Sequence, residues 1–321
     1  MFYLTSFVLL LFLELFYFRI AEKFGIIDIP NNRSSHSIIT LRGGGVIFYF
    51  SVMLYFIHSG GNYPWFFVGL TSMAVISFLD DIFSLPNKIR LLVHFASVSC
   101  LAYELGLFTF PWFILVIAFV FSVGVINAFN FMDGINGITV CYSLSIIGLL
   151  LIVNNKSLFV PMNLMILILI SLIIFAFFNF RPIAKTFAGD VGSVSIAFII
   201  VFFLGLLIVK TNNLIYLLFL VVYGIDTGWT IIFRLLAKEN IFKPHRSHIY
   251  QLLGNEGGIN KLFISFLYGF LQFIIGLIVI YLAGLSNGIQ VLFGLFVIII
   301  LSFIYLFLRR YLINKYFIET K

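Results

Sequence analysis

The sequence predicts an all-α protein, a polytopic helical bundle that crosses a membrane about eleven times. Of the 321 residues, 62% are apolar and only 10% are charged, and the apolar residues form long runs. Soluble domains have roughly 25% charged and 45–50% apolar residues, so the composition excludes an ordinary soluble enzyme. The apolar content also excludes a disordered chain. Cys100 and Cys141 lie in apolar runs and form neither a metal motif nor a disulfide framework.

The candidate spans are the apolar runs of about 17–25 residues that a transmembrane helix needs. The first run has neither the basic start nor the small-residue cleavage site of a signal peptide. The second and third runs are short for full spans, so the predicted number of about eleven spans has a range of nine to twelve. The runs are approximately residues 2–20, 44–58, 65–79, 89–106, 111–127, 137–153, 158–178, 194–209, 214–231, 262–283 and 288–308.

The distribution of charge predicts the orientation. If the N-terminus is outside, the cytoplasmic segments hold 17 of the 19 Lys and Arg residues, counting Arg19 and Arg90 with the loops that they adjoin. Such a bias is typical of cytoplasmic loops, so we expect the C-terminus in the cytoplasm. All acids except Glu14 and Glu104 are on the same side. The cytoplasmic segments are 20–43, 80–88, 128–136, 179–193, 232–261 and 309–321.

The remaining global features predict one integral membrane domain, residues 1–321, with its functional groups in the cytoplasmic loops. The formal net charge of +7 favours contact with an anionic inner leaflet or an anionic substrate. The aromatic residues, 19% of the chain, are typical of lipid-facing and core positions. We therefore expect the lipid bilayer as a partner and no nucleic acid.

The first polar cluster lies at the inner end of the third run, where Asp80 and Asp81 are adjacent. Carboxylates at the rim of an apolar helix need a cation or hydrogen bonds to be stable. Lys88 and Arg90 follow closely, and these charges would either pair at the surface or contact phosphate. A solvated helix end is the structural alternative for the two acids.

The second cluster interrupts the apolar sequence between the fifth and sixth runs. Asn127, Asn130, Asp133 and Asn136 follow one another at intervals of three residues, so they share a face if the segment is helical. If the segment is unwound, the glycines after Asp133 and Asn136 allow its backbone to approach a ligand. A plain turn would need only one Asn-Gly or Asp-Gly pair, so the run of four polar residues favours a binding segment.

The third cluster is Asp190, which stands between Gly189 and Gly192 at the start of the eighth run. An acid at this position is often a simple helix cap. Because glycines flank it and the other clusters are on the same side, we favour a ligand for a hard cation.

The fourth cluster, His245, Arg246 and His248, lies in the longest cytoplasmic loop. Histidines beside an arginine are typical of an anion-binding set. A zinc pair is the alternative, but its other ligands would have to be the carboxylates already assigned.

The fifth cluster comes before the second run and contains Arg33, His36 and Arg42, followed by three glycines. Consecutive glycines can expose backbone N–H groups that hold a phosphate. Together, the five clusters predict a cytoplasmic site for Mg²⁺ and a diphosphate, because Mg²⁺ takes one or two protein oxygens and several substrate oxygens. A polytopic secondary transporter with a cytoplasmic anion site is the alternative, although transporters place such groups near the midplane.

Four motifs, FLDDIFSLPNKIR, NAFNFMDGING, FAGDVGS and PHRSHIYQ, give the chain a family resemblance. It resembles the bacterial polyprenyl-phosphate N-acetylhexosamine-1-phosphate transferases, glycosyltransferase family 4, from about Asp28 to Gln251. The resemblance implies transfer of a sugar 1-phosphate from a UDP-N-acetylhexosamine to undecaprenyl phosphate with release of UMP, at the bacterial inner membrane. This step would begin a cell-surface polysaccharide such as lipopolysaccharide O-antigen, capsule or teichoic acid, without indicating which sugar is used.

The resemblance also implies roles for individual residues. Asp80 and Asp81 would be the catalytic carboxylate pair, with Asp133 as a further catalytic acid. Mg²⁺, with Mn²⁺ as a substitute, would be held by Asp190 together with Asn130. We expect the substrate-binding residues to be Lys88, Asn127, Asn136, His245, Arg246, His248, Arg33, His36 and Arg42.

Two departures from the family pattern stand out. Asn136 replaces an aspartate common among bacterial members, and the His-Arg-Ser-His loop lacks three consecutive histidines, which disfavours a peptidoglycan precursor. Two mechanisms stay open: direct attack by the lipid phosphate and a covalent aspartyl-phosphate route. Whether the protein assembles as a homodimer also stays open.

Overall fold

The computed structural model describes residues 1–30, 34–83, 85–240 and 246–317. Two residues of the expected site, Arg33 and His245, lie outside the described residues. Shorter 3₁₀ or π segments occur at Leu107–Thr109, Leu214–Leu220 and Leu252–Glu256. The helices are α1 (Phe2–Phe24), α2 (Val46–His58), α3 (Pro64–Phe83), α4 (Asn87–Glu104), α5 (Trp112–Met132), α6 (Ile138–Ser157), α7 (Met162–Asn179), α8 (Gly189–Thr211), α9 (Val221–Leu236), α10 (Ile249–Gln251), α11 (Lys261–Leu282) and α12 (Asn287–Phe317), and the strands are β1 (Ile27–Asp28) and β2 (Thr40–Leu41).

Each predicted apolar run coincides with helical structure. Within the described ranges, nine segments are long and apolar enough to cross a membrane. The other two runs form α2, an apolar helix of 13 residues, and α4, a more polar helix of 18 residues. The prediction of a polytopic helical membrane protein is therefore confirmed, and the orientation of its termini stays a prediction.

Helix α8 lies at the centre of the bundle because its sequence is apolar on all sides. It packs against α2, α3, α5 and α6. At its first turn, Gly192 lies so close to Gly45 that a Cβ atom added to Gly45 would overlap the Gly192 Cα. Small residues allow helix backbones in membranes to approach closely. The starts of α2 and α8 are thus held side by side.

Backbone hydrogen bonds join the loops at this end of the bundle. β1 and β2 pair antiparallel, and the Leu41 carbonyl accepts the Phe187 N–H at 2.8 Å. Gly44 N–H and Gly45 N–H donate to the carbonyls of Phe187 and Ala188, at 2.9 and 3.1 Å. The expectation that these glycines present free N–H groups to a phosphate is therefore wrong for Gly44 and Gly45, because close packing against the 186–192 segment uses them.

The span Leu214–Leu236 is irregular where the 3₁₀ segment Leu214–Leu220 meets α9, and side chains from other helices provide the hydrogen-bond partners of its backbone. Gln272 Oε1 accepts the Val222 N–H at 3.2 Å, and the Tyr142 hydroxyl accepts the Tyr223 N–H at 3.2 Å. Gln272 Nε2 donates to the Leu218 carbonyl at 3.0 Å. A backbone irregularity inside a membrane is stable only when its polar groups find such partners.

Glu104 has a capping role at the other end of the bundle. Its Oε2 accepts the N–H groups of Trp65 and Phe66, at 2.7 and 3.1 Å, in the first turn of α3. The first N–H groups of a helix lack partners within the helix. This carboxylate therefore stabilises a helix start far from the loops described above.

Replacement of Gly45 by alanine should destabilise the protein. The added methyl group meets the backbone of Gly192, and overpacking of this kind costs about 1–3 kcal/mol. The melting temperature of the detergent-solubilised protein measures the effect. Gly288→Ala is the matched control, because nothing lies within 4 Å of a Cβ atom at that position in α12. An equal melting temperature for both variants would contradict the close approach of α2 and α8.

Candidate active site

The carboxylate of Asp81, at the end of α3, binds the first turn of α8. Its Oδ1 and Oδ2 accept the N–H groups of Asp190 and Val191, at 3.0 and 3.1 Å, and the side chain is fully buried. A negative charge is favourable at a helix N-terminus. Gly189 has a φ of 69°, and a Cβ atom there would lie 2.6 Å from Asp81 Oδ2, so the approach requires glycine.

Two arginines connect three carboxylates around this turn. Arg42 Nε lies 2.6 Å from Asp81 Oδ1, and Arg42 Nη2 lies 3.1 Å from Asp190 Oδ1. Arg90 Nη1 and Nη2 lie 2.7 Å from Asp80 Oδ2 and 3.3 Å from Asp190 Oδ2. Burial disfavours the charge on Arg42, but the neighbouring Asp81 and Asp190 carboxylates outweigh it and raise the pKa of Arg42. Three carboxyl groups thus share two guanidinium groups in this cluster.

The polar segment after α5 lies beside the start of α8. Asn130 Nδ2 donates to Ser193 Oγ at 3.2 Å, so the amide oxygen is the atom that Asn130 can offer to a ligand. Asp133 Oδ1 accepts the Thr139 hydroxyl at 2.6 Å. Burial raises the pKa of Asp133 to about 6, although the hydrogen bond from Thr139 opposes the shift. This carboxyl group therefore titrates close to neutral pH.

Two asparagines hold the loop after α7 against this segment. Asn136 Nδ2 donates to the carbonyls of Arg181 and Pro182, at 2.9 and 3.2 Å. Asn179 accepts the Gly137 N–H at 2.8 Å through Oδ1, and its Nδ2 donates to the Thr186 carbonyl at 2.9 Å. An aspartate at position 136 would have no N–H group to offer these carbonyls, so the amide is the side chain that this loop conformation needs.

These segments surround a polar cavity of about 220 Å³. A second cavity of about 540 Å³ adjoins it and shares Ser34, Ser35, His36, Asn136 and Phe187 with it. Nε2 of His36 is buried and has no hydrogen-bond partner among the described residues. The lining of the smaller cavity includes the expected site residues His36, Arg42, Asn130, Asp133, Asn136 and Asp190, and also Asn179, Phe187, Ser193 and Gln251.

Other expected site residues lie outside the cavity lining. Asp80 and Asp81 do not line the cavity. They pair with Arg90 and Arg42, and both arginines also pair with Asp190 in the cavity lining. Lys88 is exposed in the first turn of α4, and Asn127 Nδ2 donates to the Val123 carbonyl of its own helix at 2.8 Å.

The described part of the histidine–arginine loop also lies outside that lining. Arg246 pairs with Glu256 at 3.4 Å. His248 is buried, with Nδ1 3.1 Å from Asp226 Oδ1. The roles assigned to these residues from the family resemblance stay predictions.

Several residues at or near the site were not among the residues that the motifs predicted. Arg90 was seen only as a cation near two acids, and Asn179 and Gln251 carry no motif that separates them from ordinary helix-end residues. Asp226 had a usable signal, since it is an acid inside the apolar run 214–231, and ionisable residues within spans usually have a function. Contacts between distant segments were needed to find the others.

The donor atoms in the cavity fit Mg²⁺. Asp190, Asp133 and Asn130 provide carboxylate and amide oxygens, which hard cations prefer. In the part of the chain that the structure describes, no three His, Cys, Asp or Glu side chains form a complete metal cage. Mg²⁺ is commonly bound by one or two carboxylates and by the phosphates of a substrate, so this donor set is compatible with it.

A polytopic membrane protein with acids, amides and arginines around one cavity has the chemistry expected of a phosphotransferase. Residues 63–211 match glycosyl transferase family 4. A probable undecaprenyl-phosphate N-acetylglucosaminyl 1-phosphate transferase of Bacillus subtilis (strain 168) is 30% identical over 311 residues, covering 88% of this chain and 83% of that protein. The chain therefore belongs to glycosyl transferase family 4, as the motifs predicted, and is a phosphotransferase.

Further relatives have similar names. The undecaprenyl-phosphate alpha-N-acetylglucosaminyl 1-phosphate transferase of Escherichia coli (strain K12) is 30% identical over 287 residues, 77% of this chain and 75% of that protein. The Thermotoga maritima protein of the same name is 28% identical over 258 residues, 74% of this chain and 76% of its own length.

The raised pKa of Asp133 predicts a pH-dependent stability difference. Because the folded protein binds this proton more tightly than the unfolded chain, the wild type should lose stability as pH rises from about 4 through about 6. Asp133→Asn keeps an acceptor for Thr139 and removes the titration. The melting temperature of the variant minus that of the wild type, measured with EDTA, should therefore increase between pH 4.5 and 7. A constant difference would exclude a raised pKa at Asp133.

Proposed function

We propose that this protein transfers an N-acetylhexosamine 1-phosphate, with N-acetylglucosamine 1-phosphate as the first candidate, from a UDP-sugar to undecaprenyl phosphate. The products are UMP and undecaprenyl-diphospho-sugar, the first intermediate of a cell-surface polysaccharide. The names of the relatives support this reaction. The observation that carries it is the meeting of three separate segments around one polar cavity: the loop before α2 provides His36 and Arg42, the segment after α5 provides Asp133, and α8 provides Asp190.

An apolar groove beside the polar cavity is suited to the polyprenyl chain. It has a volume of about 480 Å³ and is lined by residues of α5, α9 and the segment before α9, with Ile298 of α12. Phe129 lines this groove, and the next residue, Asn130, lines the polar cavity. A lipid in the groove would therefore have its phosphate close to the polar cavity.

In the proposed reaction, an oxygen of the lipid phosphate attacks the sugar-bearing phosphorus of the UDP-sugar. The bond from that phosphorus to the bridging oxygen breaks, and UMP leaves with the bridging oxygen. The second pKa of a phosphate monoester is about 6, so the lipid phosphate is largely dianionic at neutral pH and needs no general base. A covalent route would need an oxygen of Asp80 or Asp81 as the nucleophile. Because arginines and backbone N–H groups bind these oxygens, the direct route is favoured.

The residues of the cavity would position the diphosphate and balance its charge. Arg42 lines the cavity and stays protonated, so it can attract phosphate oxygens. A Mg²⁺ ion held by Asp190 and Asn130, or Mn²⁺ in its place, would neutralise charge on the phosphates. Asn136 and Phe187, shared by the two cavities, would contact the nucleoside. The cytoplasmic face of the bacterial inner membrane is the proposed location, in line with the positive charge of the loops at this end.

An assay of UMP release tests the reaction. Membranes containing the wild type should release UMP from UDP-N-acetylglucosamine only when undecaprenyl phosphate and a divalent cation are both present, and EDTA should stop release. Asp190→Ala should lower the rate by about a hundredfold or more, since it removes both a cation ligand and the partner of two arginines. Glu104→Gln, at the opposite end of the bundle, is the control that retains activity. Full activity of Asp190→Ala, or turnover in EDTA, would contradict the proposed site.

The groove can be tested separately. Gly124 lines it, and nothing lies within 4 Å of a Cβ atom at this position, so Gly124→Leu should fill the groove without disturbing neighbouring helices. We expect the KM for undecaprenyl phosphate to rise about tenfold, as for about 1.4 kcal/mol of lost binding, while the KM for the UDP-sugar stays the same. Gly288→Leu on α12 is the control. Equal KM values for the lipid in both variants would remove the groove from the proposal.

A further inference from the structure

Asp226 is a buried carboxylate that the reaction proposed above does not use. It lies in α9, is only 3% exposed, and accepts hydrogen bonds from two other parts of the chain and from Thr230 of its own helix. Its Oδ2 accepts the Tyr268 hydroxyl of α11 at 2.7 Å. Its Oδ1 lies 3.1 Å from both His248 Nδ1 and the Ile249 N–H. Burying a carboxylate is costly unless several donors surround it, so these contacts account for its stability.

The contacts of Asp226 fix the start of α10. A carboxylate has no proton to donate, so the hydrogen between it and His248 is on Nδ1. The Ile249 N–H is one of the groups that lack a partner inside a helix, and Asp226 provides its acceptor from a different helix. Gln251 Oε1 also accepts the His248 N–H, at 3.4 Å. The segment 248–251 is thereby attached to α9 at its first two residues.

The same segment reaches the active site through its last two residues. The Tyr250 hydroxyl donates to the Phe131 carbonyl at 3.0 Å. A Cβ atom on Gly134 would overlap that hydroxyl oxygen, so Tyr250 packs directly on the backbone that flanks Asp133. Gln251 itself lines the polar cavity. Two successive contacts therefore connect Asp226 with the cavity, although Asp226 does not line it.

We infer that Asp226 is a positioning residue for the active site. By holding His248 and Ile249, it sets the place of Tyr250 and Gln251, and through Tyr250 it sets the path of the Phe131–Gly134 backbone. The expected effect of Asp226 on the kinetics rests on the proposed transfer reaction. Its expected effect on the position of the 248–251 and 131–134 segments rests on the geometry alone. It also gives His248 a function as a buried anchor of the loop.

Two variants of Asp226 and one matched control test the inference. Asp226→Ala removes every acceptor, whereas Asp226→Asn keeps one oxygen for His248 and Ile249. Glu104→Gln is the control, because Glu104 also accepts two backbone N–H groups at a helix start, at the other end of the bundle. Tyr250→Phe keeps the contacts of Asp226 and removes only the hydrogen bond to Phe131.

The first measurement is the steady-state kinetics of UMP release with UDP-N-acetylglucosamine. Asp226→Ala should raise the KM about tenfold, because Gln251 and the Phe131–Gly134 backbone would no longer be held in place at the cavity, with kcat nearly unchanged. Asp226→Asn should fall between Asp226→Ala and the wild type, and Glu104→Gln should have the wild-type KM. A purely structural role would lower the active fraction and the apparent kcat while leaving KM unchanged, and that result would overturn the inference.

The second measurement is hydrogen–deuterium exchange, which does not depend on activity. Asp226→Ala should increase exchange in peptides covering 248–251 and also in those covering 131–134, and Tyr250→Phe should increase it in 131–134. Unchanged exchange in 131–134 for Asp226→Ala, or an equal increase throughout the bundle, would refute the positioning role. If the wild type releases no UMP from any UDP-sugar, the proposed function fails, while this measurement still decides the role of Asp226.

Discussion

The hydrogen bonds between the Asp81 carboxylate and the first turn of α8 are the interaction on which the site depends. Helix α8 is the central helix of the bundle, and the N–H groups of Asp190 and Val191 need an acceptor that the helix itself cannot provide. Arg42 supplies the opposite charge for Asp81. Three distant segments therefore hold one another, and the Asp190 side chain is left at the cavity wall.

The acids of this protein differ in function because their side chains lie in different surroundings. Asp81 and Asp226 are buried, and each accepts backbone N–H groups at the start of a helix from another element. Carboxylates surrounded in this way have few lone pairs left for a ligand. Asp190 and Asp133 line the cavity, where a cation or a phosphorylated substrate can reach them. The adjacent residues Asp80 and Asp81 thus support the cavity more than they form it.

The membrane environment explains why the polar groups collect at one end of the bundle. Inside the apolar region every backbone N–H and C=O needs a protein partner. Even at the irregular start of α9, Gln272 and Tyr142 accept backbone N–H groups. Placing a charged group at the rim of the bundle, where water reaches it, costs far less free energy than burying it in the membrane. The proposed reaction between a nucleotide sugar and a lipid phosphate suits this boundary, because adjacent residues, Phe129 and Asn130, line the apolar groove and the polar cavity.

Composition and the spacing of apolar runs were sufficient to predict the helical membrane fold, because burial in lipid requires long apolar helices whatever their neighbours are. The motifs were also sufficient for the family, and the polar clusters for Asp190, Asp133, Asn130 and Arg42 as neighbours around one cavity, since their residue types are rare in apolar sequence. Other features depended on contacts between segments far apart in the chain. The use of the glycine N–H groups by Phe187 and Ala188, the pairing of Arg90 with Asp190, and the attachment of His248 to Asp226 are of this kind. Sequence states which donors and acceptors a chain has, whereas only the packing of its helices decides which of them meet.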